Sequence, residues 1–354
     1  MVKAIKEKNG HIDNAEETVQ KPPTEQVILQ VELDNALREL QKLKESAKYE
    51  RNHYTVSSLN TETLRMETGL PTKEVFDIVV RHVGRFKDSI NYFLGWKVES
   101  IRLEDQILIT LMKMKQNYTN LHLAQLFSCS DSTISNIILT FLHVLHSLFF
   151  NDIMTSIPSR DKNKTCSPSS FSQFSSCRII IDCTDIEIAT PSLMKDQSAT
   201  YSSYRSMNSF KVIVGVAPNG VITYVSKLYP GSISDKEIVE KSGLLRHFVA
   251  GDLILADKGF LINDIVPLNV SVNIPPFLNN GKFTESEAKA TKSIAKCRIH
   301  VERANARLKD FKILSFIPSY FRFYVDEIFQ LCAALVNLQF PIIKEGCEGT
   351  EGFQ

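Results

Sequence analysis

Arg178-Ile-Ile-Ile-Asp-Cys-Thr-Asp185 decides the fold class of this 354-residue chain. Three consecutive β-branched residues suit a strand buried on both faces, since a half-exposed strand would alternate polar with apolar positions. A carboxylate closing such a strand is costly to ionise unless it is paired or coordinates a metal. The pattern recurs downstream. Leu253-Ile-Leu-Ala-Asp-Lys-Gly-Phe260 reads as a second short buried strand ending in Asp257, and Gly259 lets the chain turn just past it. A third acid, Glu302, lies among basic residues in Arg298-Ile-His-Val-Glu-Arg303, on a segment with helical spacing. Asp182, Asp257 and Glu302 together would supply the hard oxygen ligands of a two-metal phosphoryl-transfer centre, with cations about 4 Å apart. Singly, each has a plainer reading: an exposed strand end for Asp182, or helical pairing with Arg298 for Glu302.

Around these motifs the chain reads as a mixed-sheet α/β domain over residues 178–344. Phe210 to Ala217 is a strand, Pro218-Asn-Gly220 a tight hairpin turn, and Val221 to Leu228 the returning strand. Helical patterns follow over 235–247, 285–295 and 299–312, and an amphipathic helix over 327–340 is placed to cover the sheet. Asp235 precedes the first of these helices and is either a site residue or its N-cap.

Upstream, residues 60–150 are all-α in pattern. Residues 103–146 carry an apolar stripe, a break at Asn117-Tyr-Thr-Asn120, a short helix containing Ala124, a turn at Ser128-Cys-Ser130, and a further helix capped by Asp131 or Ser132. Two helices joined by a tight turn match a helix-turn-helix, with Ser132, Thr133, Ser135 and Asn136 as the groove-facing candidates. A plain three-helix packing module fits the same pattern. The Ser- and Lys-rich stretch over 161–177 reads as a loop between two domains. Residues 1–25 are polar and read as a disordered tail. Over 26–50, Leu29, Leu33, Ala36, Leu40, Leu43 and Ala47 trace a heptad seam, which suits either a short dimerising coiled coil or a helix packed on its own domain.

Composition is that of an ordinary globular protein, 43% hydrophobic and 23% charged. No run approaches eighteen uninterrupted apolar residues and no signal peptide opens the chain, so neither a membrane partner nor secretion is expected. Seven cysteines without a CxxC pair point to reduced thiols in the nucleus or cytosol. Net charge is only +1, yet eight basic residues crowd Lys289 to Lys312 against Glu302 and Asp310. That segment suits a polyanion, though a solvated helix face would look similar. Arg298, His300 and Arg303 are candidates to steady a scissile phosphate, and Lys211 and Arg205 to touch a DNA backbone.

These motifs resemble the DDE superfamily endonucleases of the Harbinger/PIF-like transposases. The resemblance runs in order through Ile181-Asp-Cys-Thr, Tyr204-Arg-Ser, Phe210-Lys, Pro230-Gly-Ser-Ile-Ser-Asp235, Leu255-Ala-Asp-Lys-Gly-Phe260, Asn273-Ile-Pro-Pro-Phe277 and Arg298-Ile-His-Val-Glu-Arg303. It covers roughly residues 60–340, with Leu103 to Leu142 similar to the helix-turn-helix that precedes this domain. Asp185 stands where a Glu is common, and Lys258 where an Arg is common. The resemblance implies an RNase H-like catalytic domain and places the catalytic and metal-binding triad at Asp182, Asp257 and Glu302. It further implies two divalent cations (Mg²⁺ or Mn²⁺) and DNA as substrate in the nucleus. A homodimer or a separate DNA-binding partner protein could supply target recognition. A catalytically silent, host-adopted DNA-binding or scaffold protein would share the same pattern.

Overall fold

The computed structural model describes residues 24–50, 54–154, 156–275 and 284–343. The tail read over 1–25 lies outside these but for its last two residues, as do Pro276 and Phe277 of one family motif. Helix α1 (Thr24–Glu50) is a unit by itself. Leu29, Leu33, Leu40 and Leu43 of its seam are 48–68% exposed.

The remaining elements share a second unit. Helices α2 (Thr61–Thr68), α3 (Lys73–Gly84), α4 (Leu103–Gln116), α5 (Asn120–Leu126) and α6 (Asp131–His146) form the helical region. The N-cap of α6 is Ser130, just before the two expected caps Asp131 and Ser132, because the Ser130 hydroxyl accepts from the Thr133 amide. Residues 131–151 are long and apolar enough to cross a membrane by length and composition, but 61% of that window is buried inside the protein.

Helix α7 (Arg160–Lys164) interrupts the stretch expected as an interdomain loop. Asn163 donates to the Arg178 carbonyl and Phe171 is buried, so the stretch is packed rather than free. The α/β domain follows as β1 (Cys177–Glu187), α8 (Met194–Thr200), β2 (Tyr201–Ser202), β3 (Met207–Val216), β4 (Ile222–Val225), β5 (Tyr229–Pro230), α9 (Asp235–Ser242), β6 (Leu253–Leu255), β7 (Ser271–Asn273), α10 (Glu285–Lys309) and α11 (Val325–Asn337). The two helices expected over 285–312 are one continuous helix, opened by a capping box between Thr284 and Glu287.

The sheet order is β2-β3-β1-β6-β7, with β4 and β5 also on β3. Strands β1 and β3 run antiparallel, whereas β1, β6 and β7 are parallel. This mixed sheet, preceded by a helical region, is the α/β architecture that an RNase H-like reading requires. Both faces are covered. Ile180, Val212, Val214 and Leu255 join a core shared with α4, α6, α10 and α11, while Ile179, Ile181, Ile213 and Ile254 pack beneath α9. Fully burying each isoleucine contributes roughly 1.5–3 kcal/mol. That anchoring lets β1 carry a poorly solvated acid.

Candidate active site

Asp182 lies in the middle of β1 rather than at its end. It reaches the surface because β6 stops early: Leu255, its last residue, pairs with Ile180. Beyond that point β1 keeps only its β3 neighbour, with Asp182 opposite Val214 and Asp185 opposite Lys211. A notch opens where β6 ends. Asp257, two residues past β6, turns into it, and α10 crosses to supply Glu302. Asp182, Asp257 and Glu302 line one cleft of about 490 Å³, together with Asp185, Asp235 and Arg298.

The pleat divides these acids into two groups. On the α10 face, Asp182 accepts a hydrogen bond from Asn305 Nδ2 at 2.9 Å. Burial pushes the Asp182 carboxyl up to about 6, aided by the Asp257 charge and opposed by Arg298, the Cys183 amide and Asn305. Arg298, only 15% exposed, sits 3.1 Å from Asp257 Oδ1 and 3.7 Å from Glu302 Oε1. On the α9 face, Lys211 pairs with Asp235 at 3.3 Å and donates to the Ile233 carbonyl at 2.9 Å. Arg205 Nε pairs with Asp185 at 3.4 Å, and the Ser209 hydroxyl also donates to Asp185.

Asp235 is not the N-cap of α9. Ser234 caps that helix by accepting from the Glu237 amide, which leaves Asp235 facing the cleft. Gly259 makes this approach feasible: a Cβ there would stand 2.7 Å from Asp235 Oδ2. Lys211 and Arg205, read as DNA-backbone contacts, are engaged by these carboxylates.

Other candidates fall elsewhere. His300 is buried, stacked on Phe171 at 5.4 Å and within 3.4 Å of the Ser170 hydroxyl; it cannot face the acids. Arg303 lines a separate cleft with Lys296 and Ile299. Both sit at least 100° round α10 from Glu302, so proximity in sequence does not become proximity in space. In the helix-turn-helix, Asn136 is fully buried: it accepts from the Leu94 amide and donates to the Trp96 carbonyl, both at 2.9 Å. It holds the 94–96 segment and is closed to a groove. Ser135 accepts from Asn120 at 3.0 Å, tying α5 to α6, and Thr133 is half-buried beside Ser130. Ser132 alone of the four is exposed.

Several residues at the site were not among the sequence candidates, Asn305, Cys183 and Asp185 among them. Asn305 lies at i+3 from Glu302, so helical spacing alone could have placed it beside that acid. Cys183 and Asp185 sit on the opposite strand face from Asp182, and only the cleft's wrap around the sheet edge brings them in.

The donor set is all oxygen and acidic, which suits a hard divalent cation. Among the described residues, however, no three His, Cys, Asp or Glu side chains are grouped as a metal ion would need. Arg298 is the counter-cation between Asp257 and Glu302. The chemistry of the ligands therefore fits, while their spacing is that of the guanidinium-bridged state.

Residues 181–337 match the family model described as DDE superfamily endonuclease, a span that holds all three acids and ends with α11. Residues 100–150 match the model described as helix-turn-helix of DDE superfamily endonuclease, which covers α4 to α6. No curated protein and no solved structure matches the chain.

Proposed function

Because the chain carries a DDE superfamily endonuclease domain behind the helix-turn-helix of that superfamily, we propose that it is a divalent-metal-dependent DNA endonuclease of transposase type, related to the Harbinger branch and acting in the nucleus. The observation that carries this reading is the convergence of Asp182, Asp257 and Glu302 on one cleft from a strand, a strand end and a helix. These three carboxylates would hold Mg²⁺ or Mn²⁺, two ions per site, whose chemistry there is activation of a water or 3′-hydroxyl and stabilisation of the leaving oxygen.

The chain's own residues do the rest. Asn305 fixes the Asp182 carboxylate through its amide. Arg298, once its carboxylates are otherwise neutralised, is placed to pair with a phosphate oxygen. The Lys211–Asp235 and Arg205–Asp185 pairs hold the far wall rigid and balance its charge. DNA recognition begins with the helix-turn-helix, where Ser132 is the exposed contact; a second copy joined along the α1 seam or a separate DNA-binding protein would add to it.

Nicking of supercoiled DNA in Mg²⁺ or Mn²⁺ tests the proposal. Cleavage should be lost in Asp257→Asn and in Glu302→Gln with folding intact. One observation favours a second reading, a catalytically silent DNA-binding or scaffold protein: Arg298 already neutralises two of the three acids. Salt-sensitive DNA binding by the wild type with no cleavage in either metal would select that reading.

A further inference from the structure

A second charged pocket lies where the helical region meets α10. Arg65 of α2, Lys115 of α4 and Arg307 of α10 line a cavity of about 190 Å³, and Asp310 is its one acid. A cavity of that size has room for several waters and so for a tetrahedral anion.

Three cations there face one acid, Asp310, which acts on Lys115 and Arg307 without a close ion pair. Among the described residues, no ion pair within 4 Å involves Arg65, Lys115 or Arg307. Instead Arg65 lies 5.9 Å from the centre of the Phe340 ring, and Lys115 lies 5.1 Å from that of Phe311. Arg307 donates to the Phe340 and Pro341 carbonyls. Burial lowers the Lys115 pKa first; Asp310 and Cys332 oppose the shift, and the charges of Lys312 and Arg65 add to it. Ring faces and carbonyls are weak substitutes for a counter-anion, so the pocket is preorganised for one.

Its position indicates which anion. Arg303 and Arg307 are four residues apart on α10, and Lys296 lies two turns before Arg303, so the three share one helix face over about 16 Å. Lys296 and Arg303 line the adjoining cleft, also exposed. This basic face lies about 100° round the helix from Glu302, flanking the acid cleft without entering it.

We propose that the Arg65–Lys115–Arg307 pocket binds one phosphate group of a nucleic-acid strand that runs along the Lys296–Arg303–Arg307 face of α10, outside the acid cleft. The site needs neither the cleft acids nor a metal ion. Its test is therefore made on the full chain in EDTA, and it stands or falls independently of cleavage.

Two measurements compare wild type with Arg65→Gln, a substitution at an exposed position, and with Arg65→Gln/Lys115→Gln. In the first, melting temperature is followed against inorganic phosphate, with chloride at equal ionic strength as control. Phosphate should raise it more than chloride in the wild type, and Arg65→Gln should lose most of that difference. In the second, binding of a duplex of arbitrary sequence is measured against salt. In the double variant, which neutralises one phosphate fewer, the slope of log K on log salt should be shallower by about 0.9. Loss of the phosphate effect with an unchanged slope would mean that the pocket takes free phosphate and would overturn the strand assignment. No phosphate-specific effect in the wild type, together with an unchanged slope, would overturn the site.

Discussion

The parallel strands β1 and β6 carry acids at both ends, and the two ends are built on opposite principles. Where β6 begins, Asp252 is 1% exposed and ion-paired through both carboxylate oxygens, although its Oδ1 accepts no hydrogen bond. It meets Arg178 at 2.6 Å and Arg160 at 3.1 Å, and accepts from the Val249 amide at 2.9 Å. Arg178 in turn donates to the carbonyls of Pro158 and Ile157. Where β6 ends, Asp182 has one side-chain donor, and Arg298 is divided between two other carboxylates. The first arrangement satisfies its charges internally and closes the structure. The second leaves acids crowded and under-compensated, a cost that a cation from outside the chain would relieve. Burial of an acid therefore does not separate a structural role from a functional one; the completeness of its partners does.

This contrast predicts opposite mutational signatures at the two ends. At the open end, Asp257→Asn or Glu302→Gln should cost several kcal/mol of transition-state stabilisation, a loss of cleavage on the order of 10³-fold, while urea unfolding scarcely changes. At the closed end, Asp252→Asn should destabilise the fold by about 3–5 kcal/mol, because it leaves Arg178 buried without its anion. Urea denaturation measures this directly. A Cm within experimental error of wild type would mean that the Asp252 cluster is dispensable, and the distinction drawn between the two ends would fail.

Asp182 offers a sharper version. Its folded-state pKa of about 6 lies above the ordinary 3.8, so the native protein holds the proton more tightly than the unfolded chain does. Metal-free stability should accordingly rise as pH falls through about 6, with the gain complete below about 4. Asp182→Asn removes this charge and should stabilise the metal-free protein at pH 7 by on the order of 2 kcal/mol, with a flatter pH profile. The same variant should not cleave. In the wild type, protons compete with cations for this carboxylate, so Mn²⁺ affinity should weaken as pH drops below about 6. Destabilisation by Asp182→Asn would show that this acid is a structural partner like Asp252.

How far the sequence discloses this site follows from what each residue depends on. Ile179-Ile-Ile-Asp182 reveals a buried strand and its acid, since a three-residue β-branched run has few other uses. It places the acid at the strand's end, however. The exposure of Asp182 depends on where β6 stops, and strand register is a relation between distant segments. The sequence pattern divides helix α10 around Lys296 because apolar spacing is irregular there; packing of Ile294, Cys297 and Val301 against the core carries the helix through. Asn136 is the clearest failure. Polar character at the start of a recognition helix suggests a groove contact, but the same amide satisfies two backbone groups of the 94–96 segment, which no local pattern records. The two ends of β1 and β6 are unequally legible for a related reason: Asp252 is recognised only once Arg160 and Arg178 are known to reach it.

The smallest expected effect probes Arg298, the one group that makes the open end resemble the closed one. Its guanidinium bridges Asp257 and Glu302, which are 48% and 56% exposed, so each contact is partly screened by water. Arg298→Gln should therefore lower metal-free stability by only about 1 kcal/mol. If the guanidinium occupies oxygens that a cation would otherwise take, the same variant should bind Mn²⁺ several-fold more tightly, because the metal no longer displaces a charge that is already there. Titration of free Mn²⁺ by its electron paramagnetic resonance signal reads this without any cleavage. Turnover should nevertheless fall, since the displaced guanidinium is the nearest cation for a phosphate oxygen. Tighter metal binding with slower cleavage would mark Arg298 as a placeholder that becomes a substrate contact. Unchanged or weaker Mn²⁺ binding would instead make it a fixed strut, and the open end of the sheet would then be a second structural cluster with looser geometry.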